Sequence, residues 1–132
     1  MNLEVLEKEI ERQGIVLAYV PLSKQKSVSL RAGGILVDMN IMRKIEEKEI
    51  IAHEFYGHHK RGLFYLPTAS KQDIDRYEHR ATRAAIRGLI SRAAFNKALR
   101  QGATEIWSIA EYFNISEDFA RQTVNLYSTS KN

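Results

Sequence analysis

The sequence predicts an α+β fold, with a small three-stranded antiparallel sheet near the N-terminus and helices after it. Three observations carry this reading. Short apolar runs rich in β-branched residues, "IVLAYVPL", "SVSL" and "ILVDMN", lie before residue 41 and are joined by short links. From Met42 onward, apolar residues recur at helical intervals instead. No repeat, low-complexity tract or linker divides the chain, and 132 residues are enough for one real core but not two. The expected organisation is a single domain over 1–132. A helix and the sheet occupy 1–40, metal-site helices 42–90, and C-terminal helices with a helix-turn-helix-like tail 91–132.

Taken in order, "LEVLEKEIERQG" spaces Leu3, Leu6 and Ile10 as one helix face and stops at Gly14. "IVLAYVPL" reads as a strand closed by Pro21, and "KSVSLRAGG" alternates Val28 and Leu30 with polar neighbours, as a half-exposed strand does. Gly33-Gly34 then turns the chain into "ILVDMN", the third strand. A helix follows over "MRKIEEKEIIAHEFYGHHKRG", ending at Gly62. After a loop through Pro67, Ser70 caps a long helix, "SKQDIDRYEHRATRAAIRGLI", with Asp73 and Asp75 near its positive end. Shorter helices, "RAAFNKALRQG", "TEIWSIAEYFN" and "ISEDFARQTVNLY", are separated by Gly102 and by Asn114-Ile115. Phe95, Trp107, Tyr112, Phe113 and Phe119 recur at helical spacing and are read as core.

Composition narrows the function classes. Apolar residues make up 44% of the chain and charged residues 27%, as in an ordinary soluble protein, and no apolar run is long enough to span a membrane. The charged N-terminus is unlike a signal peptide, and the chain has no cysteine, so neither disulfides nor thiolate metal sites are available; a cytoplasmic protein is expected. The net charge of +4 concentrates in the Arg-rich stretch from Arg76 to Arg100. A solvated helix face explains that stretch, and a patch for an acidic partner or DNA is the other reading.

The chemistry lies in "AHEFYGHHKRG", residues 52–62, a His-Glu-x-x-His zinc helix with one residue too many. His53 and Glu54 open the pattern, but His58 comes five positions after His53 rather than four, with His59 behind it. At about 100° per residue, ligands four apart share a helix face, whereas ligands five apart diverge by about 140°. Two adjustments restore convergence. A π-bulge, eased by Gly57, brings both imidazoles to one side and leaves Glu54 as general base. Alternatively, Glu54 and His58 are the regular pair and Glu54 is itself a ligand. The bulge keeps every role and is preferred. The plain alternative treats these histidines as favourable charges at a helix C-terminus.

On the next helix, "DRYEHRATRAAIRGLI" offers Glu78, followed by Ala81, Ala84 and Ala85, small residues that let two helices approach closely. Zinc helices of this class commonly take a third ligand from a glutamate on the succeeding helix, and Glu78 is the candidate; as an ordinary surface residue it would pair with Arg80 or Arg83. His59 and His79 are alternate ligands, although His79 points about 100° away from Glu78, so only one of that pair serves. Tyr56 and Tyr77, close in sequence, are candidates to assist an oxyanion, with packing as the plain alternative.

These stretches, in this order, resemble the ImmA/IrrE family of metallopeptidases found with bacterial phages and mobile elements. The matching segments are "ILVDMN", "EIIAHEFYGHHKRG", "YEHRATRAAIRGLI" and the tail "IWSIAEYFNISEDFARQTVNLY", so the resemblance spans about residues 1–127. It implies a zincin-like helical core, a zinc cofactor, and cleavage of a helix-turn-helix repressor at one site. By the same resemblance His53, His58 and Glu78 would hold zinc and Glu54 would move the proton. The departure is the register: aligning "GHH" with the family's "GHH" shifts "HE" by one residue.

A competing class is a catalytically inactive relative that binds a repressor, or DNA, as a regulatory module. "TEIWSIAEYFNISEDFARQTVNLY" has the outline of a helix-turn-helix. Its second helix, however, opens with Glu117 and Asp118, which face phosphates unfavourably, and offers only Arg121 and Gln122 as readers. Nucleic acid is therefore not expected as a direct ligand, and neither is a membrane.

Overall fold

The computed structural model describes residues 1–62, 64 and 66–129. Helix α1 (Leu3–Arg12) is capped by Asn2, whose side chain accepts the Val5 N–H at 2.9 Å, and it buries Leu6 and Ile10. Strands β1 (Val16–Val20), β2 (Ser27–Leu30) and β3 (Gly34–Asp38) form one sheet in the order β1-β3-β2.

The sheet is mixed, which corrects the expectation of an antiparallel one. β2 and β3 pair antiparallel, Val28 opposite Leu36, but β1 runs parallel to β3, Val16 opposite Gly34. The reason lies in burial. β3 alternates fully buried Ile35 and Val37 with half-buried neighbours and takes the centre, while β1 and β2 bury less and take the edges. Parallel neighbours need a crossover, and the chain from Pro21 to Gly33, with β2 inside it, supplies one. The crossover is pinned where Leu22 N–H donates to Asp38 Oδ1 at 3.1 Å and Asp38 N–H donates to Lys26 O at 2.8 Å.

The helix expected from Met42 starts late. Arg43 has φ +68°, a left-handed conformation that a helix cannot contain, and its N–H donates to Glu47 Oε1 at 3.0 Å. A short 3-10 turn (Met39–Ile41) precedes it, and α2 runs only over Glu47–Ala52. A π-helical segment, His53–His59, continues α2. Then come α3 (Lys71–Leu89), α4 (Arg92–Arg100), α5 (Ile106–Phe113) and α6 (Glu117–Thr129). Ser70 caps α3 by accepting the Asp73 N–H at 3.1 Å.

Leu6, Ile10, Ile35, Val37, Ile51, Phe55, Ile86, Ile90 and Ile109 form the centre of a core shared by sheet and helices. Phe95 and Phe119 join it, but Trp107 is 62% exposed and Tyr112 43% exposed, against the core reading of both. α5 turns Ile109 and Ala110 inward, which leaves Trp107 and Tyr112 on its other side. Asn114, at φ +55°, ends α5 and sets the turn into α6. Buried Lys48 and half-buried Glu49 lock the tail to α2: Lys48 Nζ donates to Phe113 O at 2.9 Å, and Glu49 accepts the Ser116 N–H and hydroxyl, each at 2.6 Å. No helix among the described residues is long and apolar enough to cross a membrane.

Candidate metal centre

The extra residue between the histidines is absorbed by the backbone. A π turn closes its hydrogen bonds over five residues instead of four, as Lys60 N–H to Phe55 O does at 2.9 Å. Residues five apart then stack as residues four apart do in an α-helix. The His53 and His58 rings lie 5.1 Å apart, centroid to centroid, on one side of the segment. Burial on several sides accompanies the distortion, since Glu54, Phe55, Gly57 and His58 are all buried between the sheet and α3.

Gly57 has a different part from the one its sequence position suggests. Its φ is not left-handed. A Cβ there would lie 2.4 Å from Ala81 Cβ, 2.6 Å from Ala81 Cα and 2.9 Å from Ala81 O. The missing side chain lets the π segment lie directly on α3, and that contact brings Glu78, one turn before Ala81, to the histidines. Glu78 bridges them: Oε2 is 2.6 Å from His53 Nε2 and Oε1 is 3.2 Å from His58 Nε2. One donor atom from each of the three residues lies within 4.8 Å of the others. Thr82, four residues after Glu78, places its hydroxyl 3.2 Å from His53 Nδ1.

Glu54 is 7% exposed and faces β2. Ser29 donates to its Oε1 and Ser27 to its Oε2, each at 2.6 Å. Glu54, Ser27, Ser29 and the three clustered residues line one cleft of about 570 Å³, together with Ile50, Phe64, Phe119 and Gln122.

The other candidates lie elsewhere. His59 Nε2 is 3.0 Å from Gly34 O at the start of β3, and its ring packs edge-on against Phe64. His79 is exposed on α3 and borders a neighbouring cleft with Asp75 and Arg83. Tyr56 is directed away from the cluster: its hydroxyl donates to Glu9 Oε2 at 2.9 Å, and its ring lies over Gly88. Tyr77 is half-buried and is not among the described residues lining the cleft. Of the two possible base readers on α6, Gln122 lines the cleft and Arg121 pairs with Asp118 at 3.1 Å.

The family model described as IrrE N-terminal-like domain, a peptidase model, matches residues 10–125. The chain belongs to that family. It is a metallopeptidase-like domain of the ImmA/IrrE type. A comparison with curated proteins finds no match.

In this IrrE-like domain the donor set fits a divalent metal ion. Two imidazoles and a carboxylate are a zinc set where thiolates are absent, and three protein donors leave a position open. The contacts to His53 and His58 hold the Glu78 carboxyl down to about 2, against the opposing effect of its partial burial. Because this value lies below the usual carboxylate range, the stabilisation Glu78 gives is complete above about pH 4.5 and fades as pH falls toward 2. In zinc-free protein, denaturation curves of wild type and Glu78→Gln are therefore expected to differ at pH 6 and to converge near pH 2. A gap that stays constant with pH would contradict the bridge.

Sequence reasoning missed Ser27, Ser29 and Thr82. The signal was present: serines two apart in "SVS" share one face of a strand, and Thr82 follows Glu78 at the spacing that shares one face of a helix. What the sequence lacked was the face on which each would land.

Proposed function

We propose that this chain is a zinc-dependent endopeptidase that cuts a helix-turn-helix repressor at one site and so relieves repression of a phage or mobile element. The observation that carries the reading is the convergence of His53, His58 and Glu78 on one side of the π turn, with the Glu54 carboxylate in the same cleft. Membership of a peptidase family supports it.

In this reading His53, His58 and Glu78 hold the ion, with Thr82 fixing the orientation of the His53 ring. Zinc bound there supplies Lewis acidity, making a water acidic near neutral pH and polarising the scissile carbonyl. Glu54 accepts the proton of the attacking water and delivers it to the leaving amine. β2 is an edge strand beside the cleft, and an extended substrate segment can pair along it. Cleavage of a folded repressor would then take place in an exposed, extendable segment rather than inside a helix.

Elemental analysis of purified protein is expected to give about one zinc per chain. A helix-turn-helix repressor that this chain acts on is expected to yield one pair of fragments by mass spectrometry, and a chelator should stop that cleavage. His58→Ala is expected to weaken zinc binding by more than the roughly 10–100-fold typical of losing a group that only orients a ligand. Zinc retained at wild-type affinity in that variant would remove His58 from the site. A chain that binds the repressor without shortening it would be a regulatory module instead.

A further inference from the structure

We infer that Ser27 and Ser29 are positioning residues that hold the Glu54 carboxylate in the orientation needed for proton transfer; the role in catalysis rests on the peptidase reading above. The two serines alternate along β2, so both hydroxyls emerge from the same face of the strand, with Val28 between them on the other. Each donates to a different oxygen of Glu54 at 2.6 Å. The carboxylate is therefore gripped at both ends rather than left to rotate about its last bond.

The geometry divides the labour between two walls of the cleft. The π segment delivers Glu54 next to His53, and β2, from across the cleft, sets the direction of its oxygens. Each carboxylate oxygen has two acceptor directions, so one hydroxyl apiece leaves both oxygens able to take a further proton. Glu54 is 7% exposed, and a buried carboxylate without donors would be costly in this place. Two neutral hydroxyls meet that need without a cation that would neutralise the base or compete for the water. Among the described residues β2 pairs with β3 alone, and Ser27 and Ser29 act from the face of β2 and not from an edge.

The test is a double-mutant cycle together with kinetics, using the full chain. In zinc-free protein, Ser27→Ala/Ser29→Ala is expected to lower the denaturation midpoint when Glu54 is present, and to lower it much less in a Glu54→Ala background. Equal losses in both backgrounds would overturn the clamp, whatever the chain's activity. In zinc-loaded protein acting on a helix-turn-helix repressor that the wild type cuts, the double alanine variant is expected to keep its zinc and its KM while kcat falls by about 10–100-fold, less than loss of the base itself. Ser27→Thr/Ser29→Thr, which retains both hydroxyls on residues suited to a strand, is expected to recover most of that loss. A rise in KM or a loss of zinc without a fall in kcat would overturn the positioning role. A wild-type chain that shows the coupling but cleaves nothing would end the peptidase reading, and the catalytic role with it, while leaving the serine–glutamate contact established.

Discussion

Gly57→Ala is expected to be among the most damaging single substitutions in this chain, although it adds one methyl group. That methyl would lie 2.4–2.9 Å from three atoms of Ala81, two of them backbone. No side-chain rotation relieves such a contact, so the π segment and α3 must separate. Overpacking of this kind costs about 1–3 kcal/mol, and more where backbone must move. The separation also pulls His53 and His58 away from Glu78, so zinc affinity should fall together with the denaturation midpoint, which a purely structural defect elsewhere would not require. Adding Ala81→Gly removes the 2.4 Å contact but leaves Ala81 Cα and O at 2.6 and 2.9 Å, so it should restore little. Full recovery of zinc binding in Gly57→Ala/Ala81→Gly would mean that the contact is between side chains alone. Wild-type stability in Gly57→Ala would mean that the two segments are not so close.

That contact also marks where sequence reading stops. Features set by neighbours along the chain were legible: the Asp73 N–H finds Ser70 three residues away, and Leu6 and Ile10 share a helix face because of their spacing. The five-residue gap between His53 and His58 was legible as a problem in helix geometry, and a π turn is its local solution. Features set by distant partners were not. The parallel pairing of β1 with β3 depends on which strand wins the centre of the sheet, a competition among three segments that no window along the chain contains. Gly57 looked like a point of backbone ease because its partner, Ala81, is on another helix. Ser27 and Ser29 looked like the wet side of a half-exposed strand, since nothing in "KSVSL" announces a carboxylate opposite. Trp107 and Tyr112 share the spacing of buried residues, yet the stripe that α5 buries is that of Ile109 and Ala110.

Glu54→Gln is expected to reduce the rate of repressor cleavage by about 10²–10⁴-fold, the range that a positioned general base contributes. The substitution is close to isosteric, and the amide can still meet Ser27 and Ser29 because hydroxyls donate and accept. The fold and the three clustered residues should therefore be undisturbed, and elemental analysis should find as much zinc as in the wild type. What the amide cannot do is take a proton from water at neutral pH. Zinc content thus decides between two roles for this residue. If Glu54 and His58 were the metal-holding pair, four apart on a regular helix, the glutamine variant would lose zinc along with activity. The geometry argues otherwise: both oxygens of Glu54 are held by β2, while Glu78 meets both imidazoles from α3. A variant that keeps its zinc and still cleaves at the wild-type rate would take Glu54 out of the chemistry and leave the proton to another group in the cleft.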